Sequence, residues 1–176
     1  MHHLSTCGVH THLPSGGEFP ETLIKFPGIG DQDWEEWING LIKAGPEFID
    51  KEQPKIMQAT GFPNTYSLTK NLAEKYLERN RRPDLRVTVS RPAIVTASEK
   101  YPFPGWTDSV AAAGAIVYMQ GRAILDGMIC YPGNLTTNVP VDHCINAILV
   151  QTAYSVIVDE PKFSLCQVSP SPSAIK

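Results

Sequence analysis

An amphipathic helix that leads directly into a strand is the feature that most constrains how this sequence can fold. Apolar residues at helical spacing predict a buried stripe made of Leu68, Leu72, Ala73 and Tyr76. The charged side chains around them are expected to face water: Lys75, Glu78 and Arg79. Pro83 ends this helix, and the alternating residues 85–89 predict a strand that runs on into residues 90–95. A helix followed closely by a strand is therefore expected in this part of the chain.

Tyr66 and Lys70 lie four residues apart at the start of this helix, so both side chains are expected on one face. An ammonium group beside a phenol stabilises the phenolate, which makes tyrosine a usable proton donor near neutral pH. Reduction of a carbonyl needs such a donor, because the new alkoxide must receive a proton as hydride arrives. Chance pairs at this spacing are common, and an ordinary pair on a helix surface is the alternative interpretation.

The composition predicts one domain with an apolar core. The chain has 176 residues, 42% of them hydrophobic, and its net charge of -3 gives no general attraction to nucleic acid or to anionic membranes. No run of about 18 apolar residues predicts a membrane-spanning helix, and the N-terminus lacks a basic-then-apolar signal pattern. The four cysteines are widely spaced, which favours reduced thiols in or near the core.

The first residues are interpreted as the end of a strand with two small hydroxyl residues, Ser5 and Thr6, at its tip. Open α/β sheets place their chemistry at the carboxyl ends of strands, although Ser and Thr also cap turns there. Four histidines nearby raise the question of a metal: His2, His3, His10 and His12. Neither a cysteine nor a carboxylate completes a set at a recognised spacing, so no metal site is predicted.

Residues 13–31 are rich in proline and glycine and predict a loop. Gly28-Ile29-Gly30 lacks the later glycine of a dinucleotide-binding turn, so no phosphate cradle is predicted there. A second amphipathic helix is expected to begin with Asp33 as N-cap and Glu36 at the capping-box position, and to end at Gly45-Pro46. Its apolar face is predicted to consist of Trp34, Trp37, Ile38, Leu41 and Ile42.

Residues 60–74 contain Pro-Asn-Thr-Tyr, Thr-Lys and Ala-Glu and resemble a segment of the fatty acyl-CoA reductases. Residues 89–95 (Val-Ser-Arg-Pro-Ala-Ile-Val) and 101–108 (Tyr-Pro-Phe-Pro-Gly-Trp-Thr-Asp) resemble the next two signatures of that family. Val-Pro-Val-Asp at residues 139–142 matches its late strand-to-helix turn, where Asp142 would cap a helix over residues 144–153. The matches keep the family's order and approximate spacing.

The resemblance implies the α/β, Rossmann-like fold of an extended short-chain dehydrogenase/reductase. Such a protein binds NADPH and reduces a fatty acyl-CoA to a primary alcohol through an aldehyde. By this resemblance Tyr66 is the proton donor, and Lys70 stabilises its phenolate and holds the nicotinamide ribose. The hydroxyl of Thr6, with Ser5 as the next choice, would bind the substrate carbonyl oxygen. The nicotinamide would lie along Pro92, Ala93, Ile94 and Val95. The loop that faces the acyl substrate would begin with Phe103, Pro104, Gly105 and Trp106.

The sequence also departs from this family. It begins at what would be the fifth strand, so residues 1–168 are expected to form the C-terminal part of the Rossmann domain, without the glycine-rich turn that binds pyrophosphate. A Pro/Ser-rich tail follows at residues 169–176. Cys7-Gly8 replaces the usual Ala-Tyr, Ala111-Ala112-Ala113 replaces a segment that usually contains Gly-Pro, and Gly121-Arg122-Ala123 replaces the common Gly-Lys-Gly.

An incomplete parallel sheet exposes strand edges, and this leads to two functional hypotheses. In the first, the chain is the catalytic segment of a fatty acyl-CoA reductase and is active only with its missing half. In the second, it is a catalytically silent homologue that pairs with a full-length reductase through the exposed edge. An unrelated α/β binding module is the third possibility. Kinship with the family suggests association with peroxisomal or endoplasmic reticulum membranes on the cytosolic side.

Overall fold

The structure is a computed structural model that describes residues 1–13, 19–25, 33–128, 137–158 and 162–170. The chain divides into two compact units: a sheet unit, Met1–Cys7 with Arg82–Lys176, and a helical unit, Gly8–Arg81. No helix within the described ranges is long and apolar enough to cross a membrane. Three positions considered above lie outside the described residues: Gly28-Ile29-Gly30, Cys130 and most of the tail.

A three-stranded parallel sheet is the centre of the sheet unit, with the strand order β1–β2–β5. β2 (Val87–Pro92) pairs with β1 (His2–Leu4) on one side and with β5 (Phe163–Val168) on the other. All six residues of β2 are buried, as expected for a parallel strand that is covered on both faces. The predicted α/β class, the parallel sheet and the strand that ends just before Ser5 are confirmed.

A second parallel pair joins β3 (Ile94–Thr96) to β4 (Asn138–Pro140). β4 leads directly into α5 (Val141–Ile157), and α4 (Ala113–Gly121) lies between the two strands in sequence. One stripe of α5 is packed, since Cys144 belongs to a core cluster with Val139 and Val168. The other side of α5 exposes large apolar side chains: Ile145, Leu149, Val150, Tyr154, Val156 and Ile157.

The helical unit contains α1 (Trp34–Ala44), α2 (Pro46–Thr60) and α3 (Thr65–Asn80). Its buried core consists of Trp34, Ile56, Phe62 and Leu68. Each helix contributes to this core through residues at helical spacing, and partly buried side chains of all three surround it. The tryptophan stripe of α1 is therefore core.

Some predicted helix faces are wrong. On α3 the buried stripe passes from Leu72 to Lys75, three residues on, rather than to Tyr76, four residues on. Lys75 is accordingly buried with 6% exposure, whereas Tyr76 is 55% exposed. Ile42 at the end of α1 is 67% exposed. Asp33 does occupy the N-cap position of α1, but its side chain makes no capping hydrogen bond.

The sequence pattern did not predict α2. Gly45 ends α1 as expected, but Pro46 then starts a new helix instead of a loop, because proline is suited to a first helical position. Pro54 lies inside α2 and hid the helical pattern, since proline is usually a helix breaker. α2 ends at Gly61, whose φ of 73° is the left-handed conformation that glycine adopts without strain.

Candidate functional site

Buried residues before and within the first turns of α3 hold the start of this helix in place. Phe62, 2% exposed, anchors the chain just before the helix, and Leu68, 5% exposed, anchors its first turns in the same core. Between them Asn64 is the N-cap: its side-chain oxygen accepts a hydrogen bond from the Ser67 amide at 2.9 Å. This arrangement stabilises the first turn of α3, which carries Tyr66.

Tyr66 and Lys70 lie together on one face of α3, as their spacing predicts. The Lys70 ammonium is 6.0 Å from the centroid of the Tyr66 ring, a distance at which a cation–π attraction still acts. Tyr66 is 57% exposed. The pair therefore offers an exposed phenol with a cation near its ring, and a phenol is a residue type that can donate a proton to an alkoxide.

α3 has a buried polar stripe that the sequence pattern did not predict. Its members are spaced as one helix face and are all buried: Ser67, Asn71, Glu74 and Lys75. Asn71 is fully buried, and both polar atoms of its side-chain amide lack a hydrogen-bond partner among the described residues. The spacing of these four residues is visible in the sequence, but charged and amide side chains are normally expected in solvent.

The hydroxyl candidates follow β1 in the sheet unit. Ser5 continues the pairing with β2, since its amide donates to the carbonyl of Ser90 at 2.8 Å. Its hydroxyl is buried and has no partner among the described residues, while the next side chain, Thr6, is half-buried. Thr6 is thus the more accessible of the two hydroxyls.

The segment predicted to contact nicotinamide links β2 to β3. Pro92 is the buried last residue of β2, and Ala93 is held by a hydrogen bond from its amide to the carbonyl of Val168 at 2.9 Å. Ile94 and Val95 begin β3 with 43% and 36% exposure. Two exposed apolar side chains, Ile94 and Val95, therefore lie on a segment whose backbone is hydrogen-bonded to the sheet.

Residues 98–106, which contain the predicted acyl-facing positions, form a loop closed by Ser98. The Ser98 amide donates to the carbonyl of Trp106 at 3.0 Å, and the Gly105 amide donates to the carbonyl of Ser98 at 2.9 Å. The Ser98 hydroxyl donates to the carbonyl of Phe103 at 2.6 Å. Phe103, Pro104 and Gly105 are exposed, whereas Trp106 is half-buried.

Asp142 does not cap α5, contrary to the prediction. The helix begins at Val141, and no side chain caps it. The Asp142 carboxylate instead accepts hydrogen bonds from the amides of Glu99, Lys100 and Tyr101 at 3.0, 2.9 and 3.2 Å. Burial alone would raise the pKa of Asp142, but these N–H donors outweigh it and hold the pKa well below its usual range.

Cys7, one of the departures noted above, lies at the start of a 3-10 helix, Cys7–His10. Its thiol donates to the carbonyl of Arg91 at 3.1 Å. Burial raises the pKa of Cys7 to about 11, although the nearby Arg91 opposes this shift. This shift favours the thiol form of Cys7 over the more reactive thiolate. Among the described residues, Cys7, Cys144 and Cys166 form no disulfide bond.

The described residues contain no group of three or more His, Cys, Asp or Glu side chains that could hold a metal ion. For a nicotinamide nucleotide the residue types are suitable. In the helical unit, Tyr66 and Lys70 offer the donors that ribose hydroxyls accept, and in the sheet unit Ile94 and Val95 offer an exposed apolar surface for an aromatic ring.

Comparison with known proteins gives a family match and several similar proteins. A sequence model of the NAD-binding family described as male sterility protein matches residues 1–148. Fatty acyl-CoA reductase 2 of Homo sapiens is 32% identical over 130 residues, and fatty acyl-CoA reductase 1 of Xenopus laevis is 38% identical over 130 residues. The alcohol-forming fatty acyl-CoA reductase of Simmondsia chinensis is 36% identical over 90 residues.

These matches cover most of this chain but little of each relative. The human and frog alignments span 74% of this chain, and 23% and 24% of the respective relatives. The Simmondsia alignment spans 51% of this chain and 18% of the relative. The chain therefore spans about a quarter or less of the relatives that it matches.

Proposed function

This chain belongs to the NAD-binding family described as male sterility protein, and on that premise we propose that it is the catalytic segment of an alcohol-forming fatty acyl-CoA reductase. One observation carries the proposal: an exposed tyrosine lies one helical turn from a lysine in a chain whose relatives are named fatty acyl-CoA reductases. The substrate is a long-chain fatty acyl-CoA, and the cofactor is NADPH.

The reaction has two reductive steps. NADPH, when bound, supplies one hydride in each step to the carbonyl carbon of the substrate. The first step breaks the bond to sulfur, releases the free thiol of CoA and leaves an aldehyde. The second step turns the aldehyde into an alkoxide, which takes up a proton to become the primary alcohol. Two hydrides and two protons are consumed for each thioester.

Side chains of this chain donate the proton and bind the substrate oxygen. Tyr66 donates its phenolic proton to the substrate oxygen as negative charge develops there. Lys70 stabilises the resulting phenolate and holds the ribose hydroxyls of the cofactor. Thr6 donates a hydrogen bond to the substrate carbonyl oxygen, and Ser5 is the second choice because its hydroxyl is more deeply buried.

Two segments of the sheet unit are assigned to binding. The cofactor ring lies along Pro92, Ala93, Ile94 and Val95. The acyl group is contacted by Phe103, Pro104, Gly105 and Trp106. The exposed apolar surface of these segments supports the assignment, since a nicotinamide ring and an acyl chain both bind by burying such surface.

Titration calorimetry with NADPH tests the proposal on the purified chain. We expect NADPH to bind, and the double variant Tyr66→Phe, Lys70→Ala to weaken binding by about tenfold or more, because two ligand donors are removed. Tyr76→Phe is the matched control: Tyr76 lies on the same helix and is 55% exposed, against 57% for Tyr66. This control variant should bind NADPH as the unaltered chain does.

Two results would limit or contradict the proposal. Absence of NADPH binding by the unaltered chain would show that the glycine-rich turn is indispensable for binding and that this chain is not an enzyme alone. Equal binding by the unaltered chain and by the double variant would show that the bound nucleotide does not use Tyr66 and Lys70. NADH, titrated in parallel, shows which of the two nucleotides the chain prefers.

The exposed side of α5 favours a second candidate function, in which this chain is a silent partner of a full-length reductase. Ile145, Leu149 and Ile157 lie on that side with 49%, 62% and 81% exposure, an extent of exposed apolar surface typical of an interface. Co-elution of the purified chain with a full-length relative, lost on Leu149→Asp, would support this candidate. Catalytic turnover by the chain would contradict it.

A further inference from the structure

Residues 99–105 of the loop are exposed, and hydrogen bonds of Ser98 and Asp142 hold the loop. Two of its largest side chains, Tyr101 and Phe103, are 71% and 58% exposed. Ordering a loop costs conformational free energy, and exposed side chains recover little of it by burial. The hydrogen bonds of Ser98 and of Asp142 must therefore supply most of the order.

The Asp142 carboxylate binds three consecutive amides of this loop. One oxygen accepts from Glu99 and the other accepts from both Lys100 and Tyr101. Successive amides that converge in this way form a nest for an anion, and here the anion is a side chain from the start of α5. Asp142 itself is 8% exposed, so solvent does not compete freely for these bonds.

A neighbouring contact provides a contrast. The His143 Nε2 and Glu99 Oε2 atoms lie 2.6 Å apart, in a polar contact that also joins α5 to the loop. Both of its side chains are 50% exposed, and exposed pairs of this kind contribute little to stability. Two adjacent residues of α5 thus contact the same loop, one through a buried carboxylate and one through a solvated pair.

We propose that Asp142 is a positioning residue for acyl-chain binding: it fixes the loop so that Tyr101 and Phe103 are presented to the acyl chain. This inference rests on the proposed acyl-CoA function. Asp142 does not take part in proton or hydride transfer. Its loss therefore lowers the affinity that a long acyl chain adds and leaves the chemistry of the thioester unchanged.

The test combines amide hydrogen exchange with ligand titration on the whole chain. Asp142→Asn keeps one acceptor but turns an N–H₂ group toward the remaining loop amides. We expect exchange at Glu99, Lys100 and Tyr101 to accelerate by about tenfold or more. The affinity for hexadecanoyl-CoA should fall by about tenfold or more, while that for acetyl-CoA stays unchanged. A general loss of structure would lower both affinities.

His143→Gln is the matched control, since it removes the exposed pair to the same loop. It should leave amide exchange and both affinities as they are. Phe103→Ala is an independent variant for the case in which Asp142→Asn does not fold. It should weaken hexadecanoyl-CoA binding without changing exchange at residues 99–101, and an unchanged affinity would overturn the proposal.

Each contrary result has its own meaning. Unchanged exchange at residues 99–101 in Asp142→Asn would overturn the positioning role. Accelerated exchange with undiminished hexadecanoyl-CoA affinity would overturn the link between the loop and the acyl chain. If the unaltered chain binds no hexadecanoyl-CoA, the acyl-CoA function and this link fail together, whereas the exchange data still decide whether Asp142 orders the loop.

Discussion

The start of α3 and the loop of residues 98–106 both present exposed aromatic side chains, but they are held in different ways. Tyr66 is carried by a helix whose neighbouring residues, Phe62 and Leu68, are buried in an apolar core. Tyr101 and Phe103 are carried by a loop that Ser98 and Asp142 hold through hydrogen bonds.

The two regions are therefore expected to respond differently to pH. Apolar burial depends little on pH, so the contribution of Phe62 and Leu68 to the position of Tyr66 is expected to persist under acidic conditions. Hydrogen bonds to a carboxylate depend on its charge, so the loop is expected to lose order where Asp142 becomes protonated. The proposed proton donor and the proposed acyl-binding loop are thus held in place by different kinds of interaction.

Phe62→Ala tests the apolar side of this comparison and should have the largest effect. Phe62 is 2% exposed, and removing a buried phenyl ring should lower the free energy of unfolding by about 3–5 kcal/mol. Phe103→Ala is the control, because a side chain that is 58% exposed should change stability by no more than about 0.5 kcal/mol. Urea denaturation measures both, and equal losses would break the comparison.

Asp142→Asn tests the polar part of the comparison, because its effect on stability should depend on pH. The native pKa of Asp142 lies below its ordinary value, so the carboxylate stabilises the fold fully above the ordinary value and progressively less as pH falls toward the native one. The variant should therefore be less stable than the unaltered chain at pH 7, by less than Phe62→Ala. The gap should narrow below about pH 4. A gap that stays constant from pH 7 to pH 3 would show that the charge is irrelevant.

Ala112→Gly and Ala123→Gly test backbone strain after the loop. Ala112 has φ of 49° and Ala123 has φ of 53°, both in the region that favours glycine. Each replacement should raise the free energy of unfolding by about 1 kcal/mol. Ala115→Gly, inside α4, should instead lower it by about 0.5–1 kcal/mol. Thermal denaturation distinguishes these signs, and a loss in all three variants would contradict the assigned strain.

Asn64→Ala tests the cap that precedes Tyr66. Loss of the hydrogen bond to the Ser67 amide should lower the free energy of unfolding by about 1 kcal/mol. Asn64→Ser, which retains a capping oxygen, should recover most of this loss. If the alanine and serine variants are equally stable, the cap does not contribute and α3 is held by its core alone.

The sequence was most informative where local pattern and core packing agree. Helical spacing predicted α3 and placed Tyr66 beside Lys70, and alternation predicted the central strand that became β2. Resemblance to a family identified Ala112 and Ala123 as departures from glycine-containing segments, and both have positive φ. These features depend on residues that are close in the chain or on motifs that can be compared directly.

The sequence was least informative where a polar group is used by a distant segment. Local rules assigned Asp142 to a helix cap, yet its carboxylate binds amides about 40 residues earlier, as the pair Asp142–Glu99 shows. Charge likewise suggested a solvated Lys75, which is buried. Local sequence patterns do not predict such tertiary contacts, because an aspartate can cap the adjacent helix or bind amides of a distant segment equally well.

A chimera tests the central claim most directly. The matching segment of human fatty acyl-CoA reductase 2 is replaced by this chain, and alcohol formation from hexadecanoyl-CoA and NADPH is measured. We predict that the chimera forms the alcohol, that Tyr66→Phe lowers the rate by about a hundredfold or more, and that Tyr76→Phe leaves it unchanged. An active chimera whose rate does not depend on Tyr66 would contradict the assignment of Tyr66 as the proton donor.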